Sequence, residues 1–247
     1  MPVRSLSTEA VILRALRYGE ADLILHVFTL ERGRMGAIAK GARRTQSRFG
    51  ARIEPFSHAE LRLHLGRGDL ATLTGVELLR SHERLRGSYG CMATAQVAAE
   101  SVLRMFLEGD ASPRAFEALV RFLDVLEEAG AAADGPATDP LVLSFGLKLL
   151  WVAGFLPHLD GCASCGAPEP LEAFSVSAGG GVCSACQNGA QPLSAAAIDG
   201  MLSLLRRPLA EARAVGLTSS TVREILWVVE QIHSYHCGFR LRTLAQR

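Results

Sequence analysis

Up to about residue 80 the apolar positions recur every second residue in short runs, and beyond it they recur with the period of a helix. Residues 10–16, 23–29, 34–39, 59–65 and 70–79 are short segments rich in Val, Ile, Leu and Thr, separated by glycine or charged turns, and predict five strands. Within the second, Leu23, Leu25 and Val27 fall on one face and Ile24, His26 and Phe28 on the other. Within the fourth, Leu61, Leu63 and Leu65 oppose Arg62 and His64. Glu31-Arg32-Gly33 and Gly66-Arg67-Gly68-Asp69 have the composition of hairpin connections. Five antiparallel strands in so short a stretch leave unpaired edges unless the sheet closes, which favours a small barrel such as the OB-fold.

The later segments read as helices. Residues 89–107 are alanine-rich at helical spacing. Ser112-Pro113 is a cap followed by proline at the first helical position and opens a helix to about residue 128. Gly130, Gly135, Pro136 and Pro140 mark a break, after which residues 140–155 are apolar all round except for Lys148, the pattern of a buried core helix. Ser194 caps a helix to Arg206, Pro208 breaks it, and Ser219 or Ser220 caps a last helix to about His236. The expected fold class is α+β, with an N-terminal five-stranded OB-fold barrel over residues 1–80 and a mostly α-helical domain over residues 81–247.

Cys162, Cys165, Cys183 and Cys186 interrupt the helical part as C-x2-C and C-x2-C with seventeen residues between the pairs, the spacing of a four-thiolate zinc site. This places a zinc-binding module at about residues 158–190. Zinc binds four ligands tetrahedrally, so four cysteines leave no position for substrate or water, and one structural zinc ion (Zn2+) is expected. A redox C-x-x-C would need a thioredoxin-like βαβ context, and a disulfide pair a small secreted protein. A helical pattern precedes the cluster, and the chain begins Met1-Pro2-Val3-Arg4 without an apolar signal segment. Cys91 and Cys237 lie in apolar helical patterns, where a small buried thiol suffices as explanation.

With 247 residues, 49% of them hydrophobic, the chain can bury a full core, and no apolar run reaches membrane-spanning length. A cytoplasmic location and no membrane partner are therefore expected. The formal net charge is only +1, but residues 32–52 carry seven cations (Arg32, Arg34, Lys40, Arg43, Arg44, Arg48 and Arg52) and no acid, so the remainder sums to −6. A concentrated basic stretch on a near-neutral chain is a docking site for a polyanion. Lys40, Arg43, Arg44, Arg48 and Arg52 supply phosphate partners, Arg34 joins the same groove if its strand face points outward, and Phe49 either stacks on a base or plugs the barrel. The plainer alternative is a solvated loop whose charges aid solubility.

Catalytic patterns are missing. The seven histidines are scattered, His233 and His236 lack a further ligand for a second metal, and no phosphate loop, nucleophile elbow or H-E-x-x-H helix occurs. Gly179-Gly180-Gly181 lacks the lysine and hydroxyl of a phosphate loop and reads as a turn between the cysteine pairs. Carboxylates are too dispersed to nominate a nucleic-acid enzyme. No catalytic residue is expected.

Four stretches together resemble the RecO family of bacterial recombination mediators: V-I-L-R-A-L-R-Y-G-E-A-D-L-I-L-H-V-F-T, G-R-M-G-A-I-A-K-G-A-R-R, L-V-L-S-F-G-L-K-L-L-W-V-A-G-F-L-P, and C-A-S-C-G with C-S-A-C. The resemblance spans nearly the whole chain. It implies an N-terminal OB-fold, a helical domain and a zinc site. It also implies binding of single- and double-stranded DNA, annealing of complementary strands coated by single-strand DNA-binding protein, and loading of RecA together with RecR, so that RecA is an indirect partner and the protein is nucleoid-associated. Lys40, Arg43 and Arg44 match the family's basic loop, and the four cysteines its metal cluster. The family docks the acidic C-terminal tail of single-strand DNA-binding protein on its helical domain. Lys148 and Arg121 are cations on otherwise apolar helices, although the sequence assigns the tail to neither. A reading of another class is a zinc-stabilised protein–protein adaptor with only weak DNA binding.

Overall fold

The alternating segments are strands in the computed structural model, which describes residues 5–168 and 170–245. Met1-Pro2-Val3-Arg4, read above for a signal segment, and Arg247 at the basic C-terminus lie outside the described residues. Strands β1 (Ser5–Tyr18), β2 (Asp22–Thr29), β3 (Gly33–Ala39), β4 (His58–His64) and β5 (Leu70–Arg80) close into a barrel of order β1-β2-β3-β5-β4. This is the expected OB-type barrel. The pairing is corrected at one seam: β3 and β5 run parallel, from Gly36 opposite Leu70 to Ile38 opposite Thr72. An odd number of strands that alternate in direction cannot close without one parallel seam, and the other four seams are antiparallel. The long strand β1 serves two of them: residues 5–11 pair with β4 and residues 10–18 with β2, with an irregularity between Ile12 and Arg14 that bends it from one partner to the other.

Alternation sets what lies inside. Leu25, Val27, Ala37, Ala39, Leu61, Leu63 and Leu73 fill the barrel. Part of the outer surface is covered by helices α1 (Glu83–Gly87), α2 (Tyr89–Met105) and α3 (Pro113–Ala129). There Phe28, on the outward parity of β2, packs against Phe106 and Phe116 at ring separations of 5.5 and 6.2 Å. His82 ties the barrel to these helices. Its buried ring meets the Phe56 carbonyl at 2.8 Å through Nδ1 and Asp124 Oδ1 on α3 at 3.0 Å through Nε2. Both His82 and Phe56 have positive φ, 46° and 70°, so two strained backbone positions face one another across this contact.

By contacts the chain separates into units Met1–Gly130 and Ala131–Arg247, so α1 to α3 belong with the barrel. The expected boundary at residue 80 marks the change from strand to helix, which is a different division. In the second unit α4 (Pro140–Val152) is buried nearly all round, as its uniformly apolar sequence requires. Its cap is Asp139, fully buried, which accepts from Leu141 N at 3.0 Å and receives a two-point contact from Arg213 at 3.0 and 2.7 Å. After the cysteine module, with strands β6 (Ala173–Ser175), β7 (Gly180–Val182) and β8 (Gln191–Pro192), come α5 (Ala195–Arg206), α6 (Ser219–His236) and the short α7 (Arg242–Ala245). Ser194 caps α5 as expected, accepting from Ala197 N at 3.2 Å. For α6 the capping residue is Thr218 rather than Ser219 or Ser220, because its hydroxyl accepts from Thr221 N at 3.2 Å.

His233 on α6 is 1% exposed, stacks on Phe239 at 5.2 Å, and neither ring nitrogen has a hydrogen-bond partner among the described residues. Burial pushes its pKa down to about 4. The folded chain therefore holds this ring neutral while the unfolded chain protonates it near its ordinary value of 6.5. Its contribution to stability is complete above that value and falls as pH drops toward about 4, by up to about 1.4 kcal/mol per pH unit. Urea unfolding followed through Trp151 and Trp227, both in the second unit, should lose midpoint between pH 7 and pH 5, and His233→Phe should shallow that loss. Identical pH dependence in the two proteins would contradict the assignment.

Candidate nucleic-acid interface and metal centre

Between β3 and β4 the chain crosses the end of the barrel, and this connection holds the basic segment. Just past Ala39 the loop is strapped to the β1–β2 turn: Gly41 N donates to Asp22 Oδ1 at 2.7 Å, Arg43 N to the Ala21 carbonyl at 2.8 Å, and Arg43 Nη1 to the Glu20 carbonyl at 3.1 Å. Further turns follow, with Arg44 N bonded to the Gly41 carbonyl and Ser47 N to the Arg44 carbonyl. The chain then drives Phe49 and Ile53 into the barrel core, where they are 1% and 2% exposed. The loop is anchored at both ends and shows its cations to solvent between them.

The expected residues separate into two groups. Lys40, Arg43, Arg44 and Arg48 are exposed, and among the described residues the side chains of Lys40 and Arg44 have no hydrogen bond or ion pair. Phe49 does not stand with them. Its ring is the plug rather than a base-stacking group, because an apolar ring beside an open barrel end gains more by filling the core, and the Arg48 guanidinium lies over it at 4.9 Å. Arg52 is spent on carbonyl groups, donating to those of Phe49 at 3.0 Å, Val76 at 3.3 Å, and Arg48. Arg34 does face outward from β3, but it donates to the Leu103 carbonyl and pairs with Glu108 at 3.3 Å, joining the strand to the end of α2. These three residues build the surface and do not present free groups on it. The β1–β2 turn that holds the loop had no signal in the sequence, since its contacts, two carbonyl groups and the Asp22 carboxylate, lie about twenty residues away from their donors.

Of the two cations on apolar helices, Lys148 is also engaged, donating to the Leu205 carbonyl near the end of α5 at 2.7 Å, with burial lowering its pKa. Arg121 is exposed on α3.

In the second unit each cysteine pair sits on a tight turn. Gly166 N bonds to the Cys162 carbonyl at 2.9 Å, and Cys186 N to the Cys183 carbonyl at 3.0 Å. The β6–β7 hairpin sets the distance between them, and it fits against residue 158: a Cβ on Gly180 would stand 2.2 Å from the His158 carbonyl oxygen. This explains the glycine run structurally. The four Sγ atoms all lie within 4.8 Å of one another, and Cys165 and Cys183 are 3.8 Å apart. A tetrahedron with bonds of about 2.3 Å to sulfur has edges of about 3.8 Å, so the donor set fits a thiophilic tetrahedral ion. Cys183 N donates to Cys162 Sγ at 3.4 Å, and the backbone N–H groups of Cys183 and then Cys165 pull the Cys162 thiol down to about 6, toward the thiolate that binds metal. Cys91 is buried in α2, as expected, whereas Cys237 is half-buried, with its thiol raised by that partial burial.

Residues 1–82 match the family model for the recombination protein O N terminal, and residues 86–245 that for the recombination protein O C terminal. The chain is 42% identical to a protein of Rubrobacter xylanophilus over 83% of its own length and 82% of the relative's. It is 36% identical to one of Anaeromyxobacter sp. strain K over 94% and 91%, and 38% identical to one of Thermobifida fusca over 80% of each. All three are named DNA repair protein RecO.

Elemental analysis of protein purified without chelator should find one equivalent of a thiophilic metal per chain, lost in Cys183→Ser. Chelation should lower the unfolding temperature reported by Trp151 and Trp227, because binding energy at a four-cysteine site is folding energy. A metal-free chain that melts at the same temperature would contradict the metal assignment.

Proposed function

The chain belongs to the recombination protein O family of DNA repair proteins, and from that premise we propose that it is a recombination mediator, one that binds single- and double-stranded DNA and anneals complementary strands coated by single-strand DNA-binding protein. With RecR as partner it helps load RecA, and the acidic tail of single-strand DNA-binding protein is its further contact. The observation that carries the reading is the anchored loop of residues 40–48, whose exposed Lys40, Arg43, Arg44 and Arg48 stand on the barrel with no acid between them.

Annealing is limited by repulsion between two phosphate backbones. A protein that neutralises part of both holds them together long enough for bases to pair, after which pairing and stacking keep the product, and no nucleotide need be hydrolysed. On this reading the chain is a mediator and not an enzyme. A loop held at both ends suits the task better than a mobile tail, since its cations are ordered before DNA arrives and less conformational entropy is lost on binding. Zinc is the ion the reading gives to the four thiolates, closed to substrate and serving stability. The reading gives it a site of action in the cytoplasm on nucleoid DNA; among the described residues no helix is long and apolar enough to cross a membrane.

The test mixes complementary oligonucleotides, each coated with single-strand DNA-binding protein, without nucleotide, and follows duplex formation by fluorescence quenching. Rapid annealing on addition of the protein is the expected result; none, with naked DNA still bound, would leave an adaptor that requires a partner. With about five phosphates neutralised, log K for a single strand should fall with log salt at a slope of about −3.5. Replacing Lys40, Arg43 and Arg44 with Ala should reduce the slope to about −1.4 and weaken binding to all sequences alike. An unchanged slope would move the DNA surface elsewhere, for example to Arg240 and Arg242.

A further inference from the structure

The loop that carries the exposed cations is fastened by an acid. Two carboxylates stand at the β1–β2 turn that holds it, those of Glu20 and Asp22. On a surface that holds phosphates an acid lowers affinity, because its field opposes the charge of the ligand. Glu20 has that character. Its carboxylate is exposed and, among the described residues, enters no hydrogen bond or ion pair; the group it contributes is its main-chain carbonyl, which accepts from Arg43. Asp22 is different. It too is in no ion pair among the described residues, so neutralising a neighbouring cation does not account for it. Its half-buried carboxylate accepts the Gly41 amide at 2.7 Å, the length of a charge-assisted bond.

That bond falls where the chain has least restraint of its own. Gly41 has φ of 68°, in the left-handed region, which a glycine enters without strain and in which nothing local retains it. While its amide is fixed to Asp22, its carbonyl accepts Arg44 N at 3.1 Å, and the Arg44 stem passes over it: a Cβ on Gly41 would lie 3.5 Å from Arg44 Cδ. Gly41 thus relays the position of Asp22 to Arg44. Asp22 is itself fixed, because it opens β2 and stands opposite Tyr18 in the strand register. Arg43 is held separately by the Ala21 and Glu20 carbonyls, main-chain groups that a change of side chain at the turn leaves in place.

We propose that Asp22 is a positioning residue for DNA binding, an acid that strengthens the hold on phosphate by fixing the loop of Lys40, Arg43 and Arg44 before the ligand arrives. The proposal rests on the DNA-binding reading above and deepens it, giving the order of that loop to one side chain. The carboxylate has two opposed effects. Its repulsion of phosphate is screened by salt, over about 10 Å at 0.1 M. Its bond to Gly41 removes conformational freedom that the loop would otherwise lose on binding. The two are separable, since repulsion requires the charge and the bond requires only an acceptor oxygen, which asparagine retains.

Fluorescence anisotropy with labelled oligo(dT) and with a hairpin duplex, each across a salt series, tests this in the full chain, beside hydrogen–deuterium exchange without DNA. Asp22→Ala should weaken binding of both DNAs by about five-fold, the cost of ordering one long side chain. Its salt slope should equal that of the parent, because every cation is still present. Exchange over residues 40–48 should quicken in this variant, with residues 58–64 of β4 unchanged if the barrel is intact. Asp22→Asn should keep the parent exchange and bind at least as tightly as the parent, and Glu20→Gln should do the same. Binding by Asp22→Ala as tight as the parent's, or tighter, would overturn the proposal and leave Asp22 an opposing charge like Glu20, with the mediator reading standing. Should Asp22→Ala loosen the barrel as well, Asp22→Asn still decides: weaker binding by that variant with the loop exchanging as in the parent would overturn the proposal. A parent protein that binds neither DNA would remove the mediator reading and the role of Asp22 with it.

Discussion

Burial of the Phe49 ring in the end of the barrel determines where the positive charge of this protein stands. The connection from β3 to β4 is long, and a free connection of that length would spread its cations through a volume of solvent. Phe49 and Ile53 convert it into a shaped surface. Truncating a buried aromatic of this kind typically costs about 3–5 kcal/mol, well above the energy of any single exposed charge contact. The cations nearest the plug serve it: Arg52 binds three carbonyl groups and Arg48 covers the ring. Those farther away, Lys40, Arg43 and Arg44, remain exposed near the β1–β2 turn.

Local periodicity made much of this legible from the sequence. Each expected strand exists, the two faces of β2 and β4 divide as their alternation was read, and the cysteine spacing anticipated a cluster with sulfurs within one coordination shell. Ser194 was readable as a cap because capping depends on residues three apart. What could not be read depends on contacts distant in sequence. Whether Arg34 is free hinges on Glu108, seventy-four residues on. The burial of Asp139 hinges on Arg213 at the same separation. Phe49 illustrates a different limit: the residue type suits a base or a core equally, and only the position of the barrel end decides. The parallel β3–β5 seam follows from the count of strands once closure is assumed, so it was available to topology rather than to pattern.

The two units divide the work by chemistry. Four cysteine sulfurs within 4.8 Å of one another would leave an ion bound among them no open position, which suits the module to holding its turns together. The barrel keeps its reactive possibilities outside: a packed core within, helices over one part of the surface, and the exposed cations of the loop between β3 and β4.

Hydrogen–deuterium exchange of the full chain, with and without saturating oligo(dT), tests most directly where the strand lies. Slowed exchange across residues 18–26 and 36–48, with residues 158–190 unchanged, is expected if the loop and the turn that holds it receive DNA. Protection confined to the second unit, with residues 36–48 exchanging as in the free protein, would contradict it.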